Sequence, residues 1–139
     1  MSKQNTFELS KNDVNSFNSE KIKFTKDKDF EYGLLLIHAE WCGHCKNLMP
    51  KYKILSNTFR NIKETNKLNK QEVEWENIPE LLAIEQSSGI NIDSVNGYPT
   101  IYIMNSENKK EFTLTPYEGG REIKDLIEPF IEDTTIKFR

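Results

Sequence analysis

Both cysteines of this chain lie in one short segment, and that segment constrains the fold more than any other. The segment is Trp41-Cys42-Gly43-His44-Cys45-Lys46, in a chain of 139 residues. A continuous apolar run, Leu34 to Ile37, comes just before it, and apolar residues at helical spacing come after it. A buried strand, a turn and a helix are therefore predicted, with the first cysteine at the carboxyl end of the strand.

The predicted position of Cys42 at a helix start suits a redox-active pair of cysteines. Unpaired backbone N–H groups and the positive end of the helix dipole would face its sulfur. Both favour the thiolate, which is the nucleophile of disulfide exchange. Cys45, one turn later, can reach that sulfur and close a disulfide. We therefore expect Cys42 to be the exposed, attacking cysteine and Cys45 to be the shielded one.

His44 adds a titratable ring between the two cysteines. A protonated imidazole would stabilise the Cys42 thiolate further. Because a stabilised thiolate means a stabilised reduced form, the disulfide between Cys42 and Cys45 is expected to be a fairly strong oxidant.

The six-residue segment resembles the active site of a thioredoxin domain of the protein disulfide isomerase type. Gly43 and His44 between the cysteines are typical of isomerase domains, whereas plain thioredoxins usually carry Gly-Pro there. Two more segments follow in the family's order. Gly97-Tyr98-Pro99-Thr100 looks like the family's cis-proline loop, and Tyr117 to Arg121 looks like the turn of its final hairpin. The resemblance covers about residues 30–132.

The resemblance implies an α/β thioredoxin fold, with a central mixed β-sheet flanked by helices on both faces. We expect residues 1–139 to form a single thioredoxin-like domain with a charged insertion at about residues 60–78, whose main apolar residue is Trp75. The implied function is that of a protein disulfide oxidoreductase or isomerase, which acts on protein thiols and disulfides without a cofactor. A redox donor or acceptor is implied as a further partner, and the sequence does not identify it.

Roles for individual residues also follow from the resemblance. Cys42 and Cys45 would be catalytic, and Arg121 would ease the deprotonation of the second cysteine. An extended substrate strand would pair with the backbone beside Pro99. The further supporting and substrate-binding residues that the resemblance implies are Trp41, Gly43, His44 and Tyr98.

One position departs from the family's pattern. Isomerase domains place a buried acid six residues before the first cysteine, where it accepts and returns the proton of the second thiol. Here that position is Leu36. Without the acid, resolution by Cys45 would be slow, and the protein would be a poorer reductase than oxidant. The remaining candidates to move the proton of the second thiol are Arg121, His38, Glu40 and water.

Two other functions remain as alternatives. A thioredoxin-fold binding or scaffold protein with little turnover is favoured somewhat by Leu36 and by the charged insertion. The two cysteines could also form half of a metal site. Zinc takes four ligands, however, and His38 and His44 are the only histidines in the chain. We therefore expect no metal.

Composition and the chain ends bear on the partners and the compartment. The net charge is −3, so nothing indicates nucleic-acid binding, and no apolar run near the motif is long enough to span a membrane. The first residues lack the apolar run of a secretory signal, and the last residues do not match an endoplasmic-reticulum retention signal. A soluble, cytoplasmic protein is therefore predicted.

The patterning outside the motifs predicts further elements. A helix is expected over residues 11–18, followed by an edge strand at residues 22–24. Residues 87–95 leave room for a turn or two of helix only. The strands expected after the motif cover residues 80–85, 101–104 and 111–115.

Overall fold

The structure, a computed structural model, describes residues 7–68 and 78–132. Within these ranges, six strands form one sheet and two α-helices pack against it. The elements in chain order are Val14–Phe17 (β1), Lys21–Phe24 (β2), Tyr32–His38 (β3), Gly43–Leu68 (α1), Glu80–Glu85 (β4), Thr100–Ser106 (β5), Glu111–Pro116 (β6) and Ile123–Glu132 (α2).

The sheet is mixed, as the sequence predicts. Its strands lie in the order β1-β2-β6-β5-β3-β4. β3 and β4 are parallel, and the other neighbouring pairs are antiparallel. A parallel pair requires a crossover connection, and α1 lies in the connection between β3 and β4.

β3 lies between β4 and β5, and all seven of its residues are buried. Leu34 and Leu36 point to one face of the sheet and Leu35 and Ile37 to the other, because successive side chains of a strand alternate. The strand predicted to be buried on both faces is therefore confirmed. The helix residues that pack with Leu34 and Leu36 are Leu48, Tyr52, Leu55, Phe59, Leu126 and Phe130.

The opposite face of the sheet is covered without any helix from the described ranges. The resemblance implies helices on both faces, and the structure differs here because the segment between β4 and β5 has irregular backbone. That segment is short and polar, and it contributes two buried isoleucines instead of a helix. Residues packed on this face with Leu35 and Ile37 include Phe24, Phe112, Ile90 and Ile92.

The prediction of a helix over residues 11–18 is wrong. Lys11–Asp13 form a single 3-10 turn, and the chain continues as β1, which pairs with β2. The helix-start signal is present, because the backbone N–H of Ser10 donates to the Asp13 carboxylate at 2.8 Å. Pairing and packing of β1 override this local signal. Since β1 is the edge strand, the prediction that residues 22–24 form an edge is also wrong.

The charged segment predicted at residues 60–78 begins inside α1. Lys63 is largely buried, and its ammonium lies 3.3 Å from the Asp29 carboxylate and 3.4 Å from that of Glu80. The guanidinium of Arg60 lies 2.7 Å from the same Glu80 carboxylate. These ion pairs tie α1 to the start of β4. Trp75 lies outside the described residues, and the single domain with a charged insertion stays a prediction.

Gly33 occupies a point where β3 and β4 approach too closely for a side chain. A Cβ atom there would lie 1.8 Å from the carbonyl oxygen of Glu80. We predict that Gly33→Ala lowers the free energy of unfolding by about 3 kcal/mol, because the backbone of β4 must move. Chemical denaturation measures the difference. Gly97→Ala, where no atom lies within 4 Å of the added Cβ, is the matched control, and equal stability of the two variants would contradict the close approach.

Candidate active site

The cysteine segment lies where β3 leads into α1. β3 ends at His38, and α1 starts at Gly43. The backbone N–H of Cys42 donates to the Ala39 carbonyl at 3.2 Å and closes the turn between them. The N–H of Lys46 then donates to the Cys42 carbonyl at 3.1 Å, which is the first hydrogen bond of the helix. The predicted order of strand, turn and helix is therefore confirmed, and Cys42 takes the capping position of α1.

The sulfur of Cys42 acts as the helix cap. It accepts a hydrogen bond from the backbone N–H of Cys45, with 3.1 Å between nitrogen and sulfur. A Ser or Asp side chain makes the same kind of hydrogen bond at a helix N-cap. The bond stabilises negative charge on the sulfur, and the dipole of α1 acts in the same direction. Both cysteines are free thiols in the structure.

Both cysteines are buried, since only 6% of Cys42 and 1% of Cys45 are exposed. They pack with Ala39 and with the half-buried side chain of Tyr98. The expectation of an exposed Cys42 is therefore wrong, because the sequence does not show that Tyr98 folds back onto it. Cys42 is still the more accessible of the two cysteines.

Burial raises the pKa of the Cys45 thiol to about 11, because a charged sulfur would lose its hydration. The hydrogen bond with Cys42 adds to the rise. A backbone hydrogen bond at Ala39 and the positive charge of Arg121 act in the other direction and lower the pKa of the same thiol. Cys45 is therefore protonated at neutral pH, and it needs a base before it can attack.

An exposed aromatic surface borders the cysteines. Trp41 is 67% exposed, and its ring meets that of Tyr98 edge-on, with 5.5 Å between centroids and 85° between planes. The indole N–H donates to the side-chain oxygen of Gln86 at 3.2 Å. Sequence reasoning missed Gln86, because it follows β4 and carries no motif. The peptide bond between Tyr98 and Pro99 is cis.

The other residues predicted to support the site lie at its rim. His44 is exposed in the first turn of α1. Gly43 is also exposed, and no atom lies within 4 Å of where its Cβ would be, so space does not require a glycine there. Arg121 is exposed just before α2, and its charge still acts on the Cys45 sulfur.

The sequence points to two positions of β3, Leu36 and His38, in relation to the proton of Cys45. Leu36 offers no acceptor, because its side chain is fully buried in the apolar cluster under α1. His38, two residues later on the same face, is also buried, and its Nε2 lies 2.7 Å from Oε2 of Glu8. Sequence reasoning named His38 but missed Glu8. No local signal could reveal it, since a bridge between Glu8 and Ala83 of β4 brings it to the site.

A cleft of about 610 Å³ opens beside Cys45. Its walls come from the end of β3, from the turn that follows and from the first turns of α1. The cleft is lined by His38, Ala39, Glu40, Cys45, Lys46, Met49, Pro50 and Lys53.

Two other kinds of site concern residues 7–68 and 78–132, a metal site and a membrane-spanning helix. No three His, Cys, Asp or Glu side chains there come together in a way that could hold a metal ion. Neither of the two helices in these ranges is long and apolar enough to cross a membrane.

The sequence matches the Thioredoxin family over residues 10–132. It is 32% identical over 123 residues to a probable protein disulfide-isomerase ER-60 of Schistosoma mansoni, and 34% identical over 122 residues to protein disulfide-isomerase A3 of Gallus gallus. These alignments cover 86% and 85% of this chain, and 21% and 20% of the two relatives. The fold is similar to that of human ERp44 in its zinc-bound form, with a TM-score of 0.51 and 18% identity over 75% of this chain and 27% of that one.

A mixed sheet that presents two cysteines at a helix start, together with these relatives, defines the class of thiol–disulfide oxidoreductases. The chain belongs to the thioredoxin family, as a thioredoxin domain of the protein disulfide isomerase type. The predicted family and fold class are thus confirmed. The chain spans about a fifth of the length of the curated relatives reported above.

The predicted cytoplasmic location is wrong. The matched protein disulfide-isomerases, among them one named ER-60, belong to a group that resides in the endoplasmic reticulum, which points to that compartment. The prediction relied on the two chain ends, and these say nothing about a leader or a retention signal when the sequence matches only part of its relatives. The oxidising conditions of the endoplasmic reticulum suit a redox-active cysteine pair.

The raised pKa of Cys45 predicts how the two thiols react with iodoacetamide. Between about pH 6 and 8 the reagent should modify Cys42 and spare Cys45, because alkylation requires a thiolate. In Cys42→Ser, where burial still acts on Cys45, its labelling rate should rise by about tenfold per pH unit and keep rising above about pH 9. Mass spectrometry of peptides measures both rates, with Cys45→Ser as the matched control. Rapid labelling of Cys45 at neutral pH would overturn the assignment.

Proposed function

We propose that this chain catalyses thiol–disulfide exchange on proteins through Cys42 and Cys45. The observation that carries the proposal is the hydrogen bond of 3.1 Å from the Cys45 N–H to the Cys42 sulfur at the start of α1. It favours charge on one sulfur, while burial keeps the other protonated. This difference assigns attack to Cys42 and resolution to Cys45. The matched protein disulfide-isomerases support protein thiols and disulfides as the substrates.

In the reducing direction, the Cys42 thiolate attacks one sulfur of a substrate disulfide. A bond forms between these two sulfurs, and the other substrate sulfur leaves as a thiolate that takes a proton from solvent. Cys45, once deprotonated, attacks the sulfur of Cys42. The internal disulfide forms, and the second substrate sulfur leaves with the electron pair. The substrate gains two electrons, and the cysteine pair loses two.

In the oxidising direction, a substrate thiolate attacks Cys42 in the internal disulfide. Cys45 is the leaving group, and it takes up a proton because its buried thiolate is unstable. A second substrate thiolate then displaces Cys42, and the substrate leaves with a new disulfide. Cys42 leaves as a thiolate, which the hydrogen bond and dipole at the start of α1 stabilise. A redox partner of unknown identity then reoxidises the cysteine pair to the internal disulfide.

The substrate is proposed to dock on Trp41, Tyr98 and Pro99. The indole of Trp41 is exposed, yet its hydrogen bond and its edge-on contact with Tyr98 hold it in one orientation. An aromatic surface ordered in this way offers apolar area at little cost in side-chain entropy. The backbone beside Pro99 would pair with an extended substrate segment.

A binding function with little turnover is the second candidate. Leu36 provides no carboxylate near the second thiol, and the raised pKa of Cys45 slows its attack. In that case Cys42 would capture partner disulfides as mixed disulfides that persist.

Reduction of insulin by dithiothreitol distinguishes the two functions. If the chain catalyses exchange, small amounts should accelerate insulin precipitation by about tenfold or more over dithiothreitol alone. Cys42→Ser should remove the acceleration, because no nucleophile is left, and Cys45→Ser should accumulate mixed disulfides that non-reducing gels detect. A folded parent chain that forms mixed disulfides without accelerating the reaction would favour the binding function instead.

Replacement of His44 tests whether the imidazole tunes the cysteine pair. His44→Pro should lower the reduction potential by about 30 mV, a tenfold change in the equilibrium with glutathione, because the Cys42 thiolate loses the stabilisation that the imidazole is proposed to give. Proline is tolerated in the first turn of a helix. The measurement is a glutathione titration of the parent, of His44→Pro and of His44→Gln. His44→Gln, the matched control, should shift the potential in the same direction, and no shift in either variant would show that His44 plays no such part.

A further inference from the structure

We propose that His38, oriented by Glu8, is the base that removes the proton of Cys45 and the acid that returns it. The proposal rests on the proposed function and deepens it, because it supplies a proton route for the resolving step. Leu36 is apolar and fully buried, and the Cys45 thiol is protonated at neutral pH. Fast resolution at that pH therefore needs another group that can take the proton.

His38 and Cys45 line the same cleft. His38 ends β3 and Cys45 lies in the first turn of α1, so the strand, turn and helix bring them to one wall. Ala39, the residue after His38, makes the backbone hydrogen bond that acts on the Cys45 sulfur, so the end of β3 is in direct contact with this thiol. The cleft measures about 610 Å³, whereas one water molecule takes up about 30 Å³ in the liquid. The cleft therefore has room for water that can carry a proton between the ring and the sulfur.

Glu8 determines which nitrogen of His38 can accept the proton. Nε2 of the ring lies 2.7 Å from Oε2 of Glu8. An ionised carboxylate can only accept a hydrogen bond, so Nε2 carries the hydrogen and the lone pair of the neutral ring is on Nδ1. A carboxylate placed in this way fixes the tautomer and stabilises the imidazolium that forms when the ring takes a proton.

The charged groups around His38 come from three parts of the chain. Glu8 is supplied by the segment before β1, and Glu85 at the end of β4 interacts electrostatically with the ring. The further charged residues that line the cleft with His38 are Glu40, Lys46 and Lys53.

Two of the other candidates from the sequence fit the role less well. Arg121 cannot take the proton, because a guanidinium stays protonated in proteins. Glu40 lines the cleft, but it is exposed, and it is its backbone N–H that donates to the Glu85 carboxylate at 3.2 Å. His38 is buried, lines the same cleft as Cys45 and is held by a second residue, and this combination favours it.

In the resolving step, Nδ1 of His38 takes the proton of the Cys45 thiol, and the Cys45 sulfur attacks that of Cys42. The bond between the two cysteines forms as the bond from Cys42 to the substrate sulfur breaks. The electron pair leaves with the substrate thiolate, and the imidazolium gives its proton to that thiolate or to solvent. In the oxidising direction the imidazolium protonates Cys45 as it leaves.

The pH dependence of resolution tests the proposal. The reduced chain is mixed with excess glutathione disulfide, and the reaction is quenched in acid at successive times. Mass spectrometry of the intact chain then distinguishes the glutathione adduct on Cys42 from the internal disulfide. In the parent, the adduct should decay at a rate that rises with pH and levels off well below the pKa of Cys45. In His38→Gln, decay at pH 7 should be about tenfold slower or more, and its rate should rise by about tenfold per pH unit, because hydroxide must then ionise the thiol.

Two further variants make the result specific. Glu8→Gln keeps an acceptor opposite Nε2, and the Glu8 side chain is 35% exposed, so this variant should fold even if His38→Gln does not. It should slow the decay of the adduct by about threefold to tenfold at pH 7 and leave adduct formation unchanged. Glu40→Gln makes the same charge change at a residue that lines the cleft, and it should resolve the adduct like the parent.

The outcomes separate this proposal from the proposed function. If the glutathione adduct decays with the parent's pH profile in both His38→Gln and Glu8→Gln, the role of His38 is overturned. If His38→Gln does not fold, the result for Glu8→Gln decides alone. A loss confined to Glu40→Gln overturns it as well. A parent chain that forms no adduct at all would instead overturn the proposed function, because adduct formation depends on Cys42 and not on His38.

Discussion

The burial of β3 on both faces and along both edges holds the cysteine pair in place. The strand pairs with β4 on one side and with β5 on the other, and all seven of its residues are buried. A shift of one residue in register would exchange the side chains of the two faces, with Leu36 moving into the place of Leu35, so the packing allows one register only. This register fixes the position of the end of β3. The end of β3 then determines where the connecting turn and the start of α1 lie. The position of the Cys42 sulfur thus depends on apolar packing deep in the sheet.

The same placement gives the two cysteine side chains different tendencies to ionise. Cys42 lies at the end of the helix, where a backbone N–H and the dipole favour charge on its sulfur. Cys45 lies one turn further along, between α1 and the end of β3, where burial disfavours charge. Burial, rather than a neighbouring charge, is the largest cause of the raised pKa of Cys45. The rim residues His44 and Arg121 can then adjust the difference without being its source.

The sequence predicts the parts of this protein that depend on local patterns. The apolar run of β3, the two cysteines and the helical spacing after them determine the strand, the turn and the helix. The helix expected at residues 11–18 is absent, because a real start signal at Ser10 is overridden by strand pairing that appears only in the folded chain. Glu8 escapes sequence reasoning for a related reason, since it reaches His38 through its bridge to Ala83. Contacts between distant segments leave no periodic pattern to read.

The protonated state of Cys45 also couples the redox equilibrium of the pair to acidity. When the disulfide is reduced, the Cys45 sulfur takes up a proton at any pH below about 11. The proton that Cys45 takes up with the two electrons by itself makes the reduction potential change by about 30 mV per pH unit. Acidification of the surroundings therefore makes the disulfide a stronger oxidant, and a rise in pH makes the dithiol a stronger reductant. Because burial keeps this thiol protonated up to about pH 11, the potential of the pair depends on acidity throughout the neutral and mildly alkaline range.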